Sequence, residues 1–541
     1  MTRQILYHGG TIITMDAQDS QPEAVLVDDG GMIVSIGALA DLRAQADSGV
    51  LLKNLEGRTM IPGFIDPHGH FPDSGLMELW RVDLSSPPQG SCSTMKQVLQ
   101  RLAEKAAQTP KGEWVLGALL DQSALEENRF PTRRELDAVS SEHPIWVCHI
   151  SGHAGAANSL ALDYRGIDKN TPDPRGGRFG HDSETGELDG LLEGINAMGE
   201  LGDTEFQIDA ERFKAGFKAA EREYVSHGLT MAQNAWAAES LLQAFADIAT
   251  ERTLDIDLMV LPAAELEPRL SAGELDVDLP GGDNFTVGAR KIFVDGAFQI
   301  QTVFLSKPYH KPINGDPEYR GRIGLTHDGM VKKFGDLHRA GFQTHTHVNG
   351  DGAADFMLDV IEEVLGEHPR ADHRHTFIHC QTLRDDQLDR MVKLGITPSF
   401  FPAHVYYWGD AHYNVILGPD RAERISPTGS AVRRNMRFTI HNDASVTPTR
   451  PLHLMWCACN RITASGRHLG EDQRLSPLEA LRAHTIDAAW QVFMENERGS
   501  IEPGKRADFA ILSMNPLENA ETLRDIEILE TINKGRSVYQ A

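Results

Sequence analysis

Short apolar segments alternate with helical patterns between residues 201 and 499, and this alternation constrains the fold more than any other feature of the chain. Phe213, Phe217 and Tyr224 recur at helical spacing, and this pattern ends before Gly228. Strand-like segments follow at 229–233, 258–261, 291–294, 342–347, 375–379, 396–400 and 438–440. About eight strands separated by helices predict an α/β fold, most simply a (β/α)8 barrel.

The two ends of the chain have a different texture from the middle. Residues 1–60 contain short β-rich segments broken by glycine and aspartate, and residues 500–541 repeat this pattern. A chain of 541 residues is also too long for one compact core. We therefore expect the two ends to build one small β-sandwich beside a barrel formed by residues 61–84 and 201–499.

Residues 85–200 interrupt the barrel pattern. A helical pattern at 94–107 is followed by a run at 163–190 that is rich in glycine, proline and aspartate. Long irregular segments in compact proteins usually carry function or cover a site. We expect this part of the chain to be an inserted, lid-like segment.

Net charge argues against several classes of partner, and cysteine content indicates the redox compartment. The chain has 52 basic and 78 acidic residues, a net charge of −26, so nucleic acid and anionic membrane would both be repelled. Its 5 cysteines are odd in number and scattered, which favours a reducing compartment over a disulfide framework. With neither a secretory signal nor an apolar membrane span in the sequence, we expect a cytoplasmic protein that acts on a small molecule.

Two histidines follow the apolar run at residues 60–65, which predicts a buried strand. In an extended segment, residues two apart face the same side, so His68 and His70 could bind one metal ion together. The alternative is a pair of surface histidines at the end of a strand.

Further polar residues lie near the ends of the other predicted strands. Catalytic groups in such barrels lie where the parallel strands end. The candidates selected in this way are His68, His70, Lys291, His347, His379 and Asp443. Lys291 fits least well because it begins its predicted strand, and an ordinary ion-pairing lysine is the alternative there. A solvated aspartate in a turn is the alternative for Asp443.

At these positions the chain resembles the amidohydrolase superfamily, and within it the YtcJ-like group that includes N-substituted formamide deformylases. The resemblance extends over nearly the whole chain. The matching motifs are Ile61-Pro-Gly-Phe-Ile-Asp-Pro-His-Gly-His70, Ser151-Gly-His-Ala154, Lys291-Ile-Phe-Val-Asp-Gly296, His347-Val-Asn-Gly-Asp351, Arg374-His-Thr-Phe-Ile-His379, Asn442-Asp443 and Gly499-Ser-Ile-Glu-Pro-Gly-Lys-Arg-Ala-Asp508.

The resemblance implies a metal site that contains one or two divalent ions, most simply zinc. Its ligands would be His68, His70, Lys291, His347, His379 and Asp443. The lysine of such sites is usually carboxylated, and a carbamate is an oxygen ligand that an ammonium group cannot supply.

The implied activity is hydrolysis of an amide or N-formyl C–N bond of a small molecule. Asp443 would take a proton from the attacking water and return it to the leaving nitrogen. The alternatives are deamination or decarboxylation at the same metal site, or a catalytically silent barrel. A silent copy is disfavoured because every expected ligand type is present. Analogy with other barrel enzymes suggests a homodimer.

Other residues could contact the substrate. His153 and Glu193 match positions that the group tends to keep near the site. His345 shares a face with His347 and could bind metal, although a hydrogen-bonded or core histidine is the alternative. The aromatic run at 400–408, which ends at Trp408, indicates a flat or apolar substrate group or simple packing. His441 and Asn442 stand where the group commonly has Gly-Ser.

Overall fold

The computed structural model describes residues 4–174, 176–201, 209–251, 254–275, 284–313 and 315–541. Within these ranges, two parallel sheets form the centre of the molecule. The first sheet has the strand order Phe285–Val287, Asp257–Pro262, Leu229–Ala237 and Phe64–Ile65. The second has the order Arg290–Phe293, Thr344–Val348, Thr376–His379, Thr397–Phe400 and Thr439–Ile440.

These parallel strands agree with the expected strand–helix alternation. A bridge between Ala263 and Lys291 links the two sheets. The helix Ala210–Ser226 buries the apolar stripe that its spacing predicts, and it ends two residues before Gly228. The fold is therefore α/β. Closure of the two sheets into one (β/α)8 barrel stays a prediction.

Helices connect the strands and cover the sheets. The α-helices are Leu39–Gln45, Asp73–Trp80, Met95–Ala106, Arg133–Val139, Ser159–Tyr164, Ile195–Glu200, Ala210–Ser226, Glu239–Glu251, Glu267–Ser271, His327–Arg339, Asp351–Glu367, Asp385–Leu394, Ala403–Ala411, Pro419–Ala422, Thr428–Val432, Pro451–Asn460, Pro477–Ala483 and Ile486–Gln491. Short 3-10 helices occur at Gln122–Ala124, Ala264–Leu266, Glu471–Gln473 and Ala520–Asp525, and a π-helix occurs at His412–Ile416. Among the residues described, no helix is both long enough and apolar enough to cross a membrane.

Strands from both ends of the chain form two further sheets in the described structure. One has the order Ile33–Gly37, Ala24–Val27, Ile5–His8 and Leu51–Asn54. The other has the order Thr11–Ile12, Thr59–Pro62, Phe509–Leu512, Ile528–Asn533 and Arg536–Gln540. Tyr7, Met60 and Phe509 belong to one apolar cluster between them.

The apolar run at 60–65 is split between two sheets, and this corrects the expectation of a single strand. Thr59–Pro62 pairs with Phe509–Leu512, whereas Phe64–Ile65 pairs with Leu229–Ala237. Gly63 joins the two segments, and a Cβ atom there would lie 2.3 Å from Thr230 Cγ2. The chain therefore changes sheets at a position where no side chain fits.

The inserted part of the chain forms a mixed sheet, with the strand order Arg178–His181, Leu188–Glu193, Ala154–Ala157, Ile145–His149, Val115–Leu120 and Val82–Asp83. Its first two strands include residues from the run at 163–190, which was expected to be irregular. Trp146, Phe179 and Leu192 belong to a buried apolar cluster. Burial of these few large side chains outweighs the turn-forming composition around them.

Candidate metal centre

The six expected strand-end residues come from two sheets and lie close together. His68 and His70 follow the strand Phe64–Ile65, and Asp443 follows Thr439–Ile440. Lys291, His347 and His379 belong to the strands Arg290–Phe293, Thr344–Val348 and Thr376–His379. Because these strands are parallel, their carboxyl ends bring residues distant in sequence together.

Three imidazole rings lie close to the carboxylate of Asp443. Its Oδ1 lies 3.4 Å from His68 Nε2 and 3.3 Å from His70 Nε2, and its Oδ2 lies 3.8 Å from His379 Nδ1. Burial alone would raise the pKa of Asp443, but the contact with His70 lowers it to about 2. The carboxylate is therefore charged at neutral pH.

Two of these imidazoles are neutral because they are buried. Burial and the neighbouring Lys291 hold the pKa of His68 well below its usual range. Burial and His347 do the same for the pKa of His379. A neutral imidazole has a free nitrogen lone pair, which is the form that binds metal.

His68, His379 and Asp443 offer one ligand atom each, all within 4.8 Å of one another. Imidazole nitrogen and carboxylate oxygen are the donors that zinc takes in catalytic sites. The buried donor set therefore fits a divalent cation. His70, Lys291 and His347 surround this cluster.

Lys291 is buried beside the cluster, and only 1% of its surface is exposed. Its Nζ lies 3.3 Å from His68 Nε2. Burial lowers the pKa of Lys291 to about 7, although Asp443 opposes this change. The Lys291 amine thus contacts His68 and lies beside the atoms that could bind a metal ion.

The rings of His347 and His379 each contact a neighbouring polar side chain. Asp295 Oδ1 lies 3.3 Å from His347 Nδ1, and His441 Nε2 lies 3.1 Å from His379 Nδ1. The other ring nitrogen of His441 lies 2.9 Å from Ser399 Oγ. Such contacts set the orientation of imidazole ligands. The sequence motifs contain Asp295, but reasoning from sequence did not select it.

The backbone at two of these residues adopts the left-handed region that favours glycine. His379 has a φ of 77° and Asp443 a φ of 52°. Non-glycine residues in this region cost free energy and concentrate at functional sites.

A cavity of about 310 Å³ opens onto the cluster. His153 lines it, and the His153 ring centroid lies 5.2 Å from that of His347. The neighbouring Ser151 and Gly152, from the inserted segment, also face the cavity. Its apolar wall includes Met77, Leu119, Trp146, Ile150, Ile195, Met198, Leu201, Trp236, Leu241, Phe293, Phe401 and Val446.

The structure places three other candidates away from the cavity wall that the described residues form. His345 is fully buried and pairs in register with Lys291. Glu193 forms ion pairs with Arg178 and Arg322. A role of either residue in substrate binding stays a prediction.

Trp408 is the third of these candidates. Its Nε1 donates to Asp121 Oδ2 at 2.8 Å, and its ring packs on His404 with a centroid distance of 4.6 Å. His404 lines the cavity in its place, as does Gln299. Sequence reasoning missed both, although His404 lies in the aromatic run at 400–408.

Proteins that are already described resemble this chain over almost its whole length. A model of the amidohydrolase family matches residues 52–539. The chain is 29% identical to N-substituted formamide deformylase of Arthrobacter pascens, over 99% of this chain and 98% of that protein. It is 28% identical to YtcJ of Bacillus subtilis (strain 168), over 99% of both chains.

A solved structure has the same fold. A metal-dependent hydrolase from Pyrococcus horikoshii OT3, described as uncharacterized, superposes with a TM-score of 0.75 at 23% identity, over 96% of this chain and 99% of that one.

The chain belongs to the amidohydrolase family. It is accordingly a hydrolase that acts on carbon–nitrogen bonds other than peptide bonds. The resemblance inferred from the motifs is confirmed, including the likeness to the YtcJ-like group.

Proposed function

We propose that this hydrolase uses a divalent cation, most simply zinc, to cleave the C–N bond of a small-molecule amide or N-formyl compound. The observation that carries the proposal is the buried Asp443 carboxylate, which has three imidazoles within 3.3 to 3.8 Å at the end of a cavity. The similarity to a formamide deformylase favours N-formyl compounds.

The proposed ligands are His68, His70, His347, His379, Lys291 and Asp443. A bound divalent cation would lower the pKa of water and polarise the substrate carbonyl. Asp443 is the proposed proton shuttle because its carboxylate is ionised and belongs to this cluster. It accepts a proton as the nucleophile attacks, and it returns that proton to the nitrogen that leaves as an amine.

Lys291 is proposed to be carboxylated. An ammonium group 3.3 Å from His68 Nε2 would repel a cation bound there. The ammonium first loses a proton, and the neutral amine then adds to carbon dioxide, forming an N–C bond and releasing a second proton. An anionic oxygen donor thereby replaces the positive charge. A protein labelled with ¹³C-bicarbonate should show a carbamate signal in its NMR spectrum. The signal should be absent from a Lys291→Ala variant.

The two parallel sheets are proposed to be parts of one (β/α)8 barrel. The Ala263–Lys291 bridge supports contact along one seam. Along the other, His70 N donates to Ala444 O at 2.6 Å. This arrangement would place all six candidate ligands on one rim.

The test is a panel of N-formyl, N-acyl and N-carbamoyl compounds assayed with added zinc or manganese. We expect release of an amine, with the formyl compounds as the best substrates. Release of ammonia from a ring, or of carbon dioxide from an acid, would identify deamination or decarboxylation instead. A purified protein that contained no metal and was indifferent to chelators would indicate a silent barrel.

A further inference from the structure

Uncharged polar residues interrupt the apolar wall of the cavity. Gln299 lines the cavity and is only 5% exposed. Gln122 Nε2 donates to its backbone oxygen at 3.1 Å and so anchors the turn. The side-chain amide of Gln299 belongs to the cavity lining and could donate a hydrogen bond to a ligand there or accept one from it.

His404 is the second such group. It is 4% exposed and lines the same cavity. Its Nδ1 lies 3.1 Å from His412 Nε2, and Phe298, the residue before Gln299, packs against both imidazole rings. Gln299 and His404 thus both line the cavity, and Phe298, the chain neighbour of Gln299, packs near His404.

The pair of histidines determines which hydrogen His404 presents. His412 Nδ1 is buried and has no hydrogen-bond partner among the described residues. An unpaired N–H is rarer in proteins than an unpaired acceptor, so His412 carries its hydrogen on Nε2 and donates it to His404 Nδ1. His404 then carries its own hydrogen on Nε2, the ring nitrogen that His412 does not occupy.

Both groups are uncharged. Burial and the neighbouring His412 hold the pKa of His404 well below its usual range. The His404 ring also contacts Phe401 and Trp408, at centroid distances of 4.7 and 4.6 Å. Neither Gln299 nor His404 supplies a charged partner for an ionised ligand group, and burying such a group unpaired is strongly unfavourable.

We propose that Gln299 and His404 form a neutral polar subsite that binds an uncharged oxygen, a hydroxyl or a carbonyl, on the substrate. The inference rests on the proposed amide hydrolysis, in which the scissile group occupies the metal centre. The subsite therefore binds a second polar group. The substrate class is an amide with an apolar body that carries one neutral oxygen substituent.

Matched probe pairs test the subsite. Each pair is an N-(hydroxyalkyl)formamide and the N-alkylformamide with the same number of heavy atoms, over several chain lengths. Dissociation constants are measured by calorimetry on the full chain after treatment with a chelator, and kcat/KM is measured with metal added. At the chain length that reaches the subsite, we expect the hydroxyl probe to bind about tenfold more tightly.

The substitutions Gln299→Met and His404→Phe remove hydrogen bonding at nearly constant volume. Each should bring the affinity ratio of the two probes close to one. Gln100→Leu is the control because Gln100 lies on an exposed helix face, where its Nε2 donates to Glu104. This variant should keep the full ratio.

The proposal is overturned if the wild-type chain shows no preference at any chain length, or if both variants keep the preference. An equal fall in kcat for both probes in His404→Phe would also overturn it, because His404 would then act on the reacting carbonyl. Failure of every formamide to react would refute the proposed function alone, since the binding ratio is measured without turnover.

Discussion

Asp295 Oδ1 lies 3.3 Å from His347 Nδ1, and both side chains are buried. The same carboxylate accepts hydrogen bonds from the backbone N–H groups of Asn349 at 3.0 Å and Gly350 at 2.8 Å. Asp295 thus adjoins the His347 ring and anchors the loop that follows it. A ligand held in this way loses less freedom on metal binding.

Replacing Asp295 should therefore weaken metal binding more than it affects folding. For Asp295→Asn we expect metal affinity to fall about 10- to 100-fold. Competition with a chromogenic chelator measures this affinity. Asp328→Asn is the matched control, because Asp328 is fully exposed on a helix. Equal metal affinity in Asp295→Asn and wild type would show that Asp295 does not orient a ligand.

Removing the charge of Asp443 should abolish most of the hydrolysis. Asparagine is the suitable replacement, since it tolerates the φ of 52° at this position. We expect kcat for a formamide substrate to fall about 100- to 10,000-fold, as for loss of a general acid–base group. Metal content, measured on the same samples, separates loss of the shuttle from loss of a ligand. A variant with normal metal content and normal kcat would exclude the proposed role.

Stability should fall in acid because of a buried histidine chain that is separate from the metal centre. His375 Nδ1 accepts a hydrogen bond from Thr344 N at 3.1 Å, and His375 Nε2 lies 2.9 Å from His338 Nδ1. Burial, with His373 adding to it, holds the pKa of His375 well below its usual range. Protonation would place a hydrogen on Nδ1, against the Thr344 N–H group.

The lowered pKa of His375 determines the direction in which the stability of the fold changes with pH. The unfolded chain binds a proton at His375 near pH 6.5, whereas the folded chain does so at a lower pH. The contribution of neutral His375 to the stability of the fold is therefore complete above about pH 6.5, and it is lost as the pH falls below that value.

Denaturant unfolding at several pH values should show this loss. His375→Asn keeps an acceptor for Thr344 but does not titrate. The difference in unfolding free energy between wild type and this variant should narrow as the pH falls from about 7 to about 5. A difference that stays constant with pH would contradict the assignment.

Gly63 should not tolerate a side chain. A Cβ atom there would lie 2.3 Å from Thr230 Cγ2, so Gly63→Ala should destabilise the fold by about 1–3 kcal/mol. Adding Thr230→Ala should recover part of this loss, and the two effects should not add.

At Gly366, in contrast, an added Cβ meets nothing within 4 Å. Because Gly366 lies within a helix, Gly366→Ala should stabilise by about 0.5–1 kcal/mol.

Much of the fold could be predicted because it depends on local patterns. Strands 375–379, 396–400 and 438–440 were expected, and the structure has Thr376–His379, Thr397–Phe400 and Thr439–Ile440. Apolar spacing reports which face of a segment is buried, and this is a property of neighbouring residues. The strands inside 163–190 were missed, since their few large apolar residues are separated by turn formers.

The candidate ligands could also be selected from sequence, for a related reason. His68, His379 and Asp443 each lie at or just beyond the end of a strand, and parallel strands bring their ends together whatever the intervening sequence is. Contacts made behind the ligands have no such local signature. Asp295 and His347 are distant in sequence, and their pairing depends on the lateral order of the strands.

The sequence by itself thus determined the family, the strand–helix alternation and the residues that the strand ends bring together. Only the tertiary structure decided where the chain changes sheets at Gly63 and which polar side chains, such as Gln299 and His404, face the cavity. The physical reason is that a short pattern records whether a side chain is buried. Which distant segment it is buried against depends on how the layers pack.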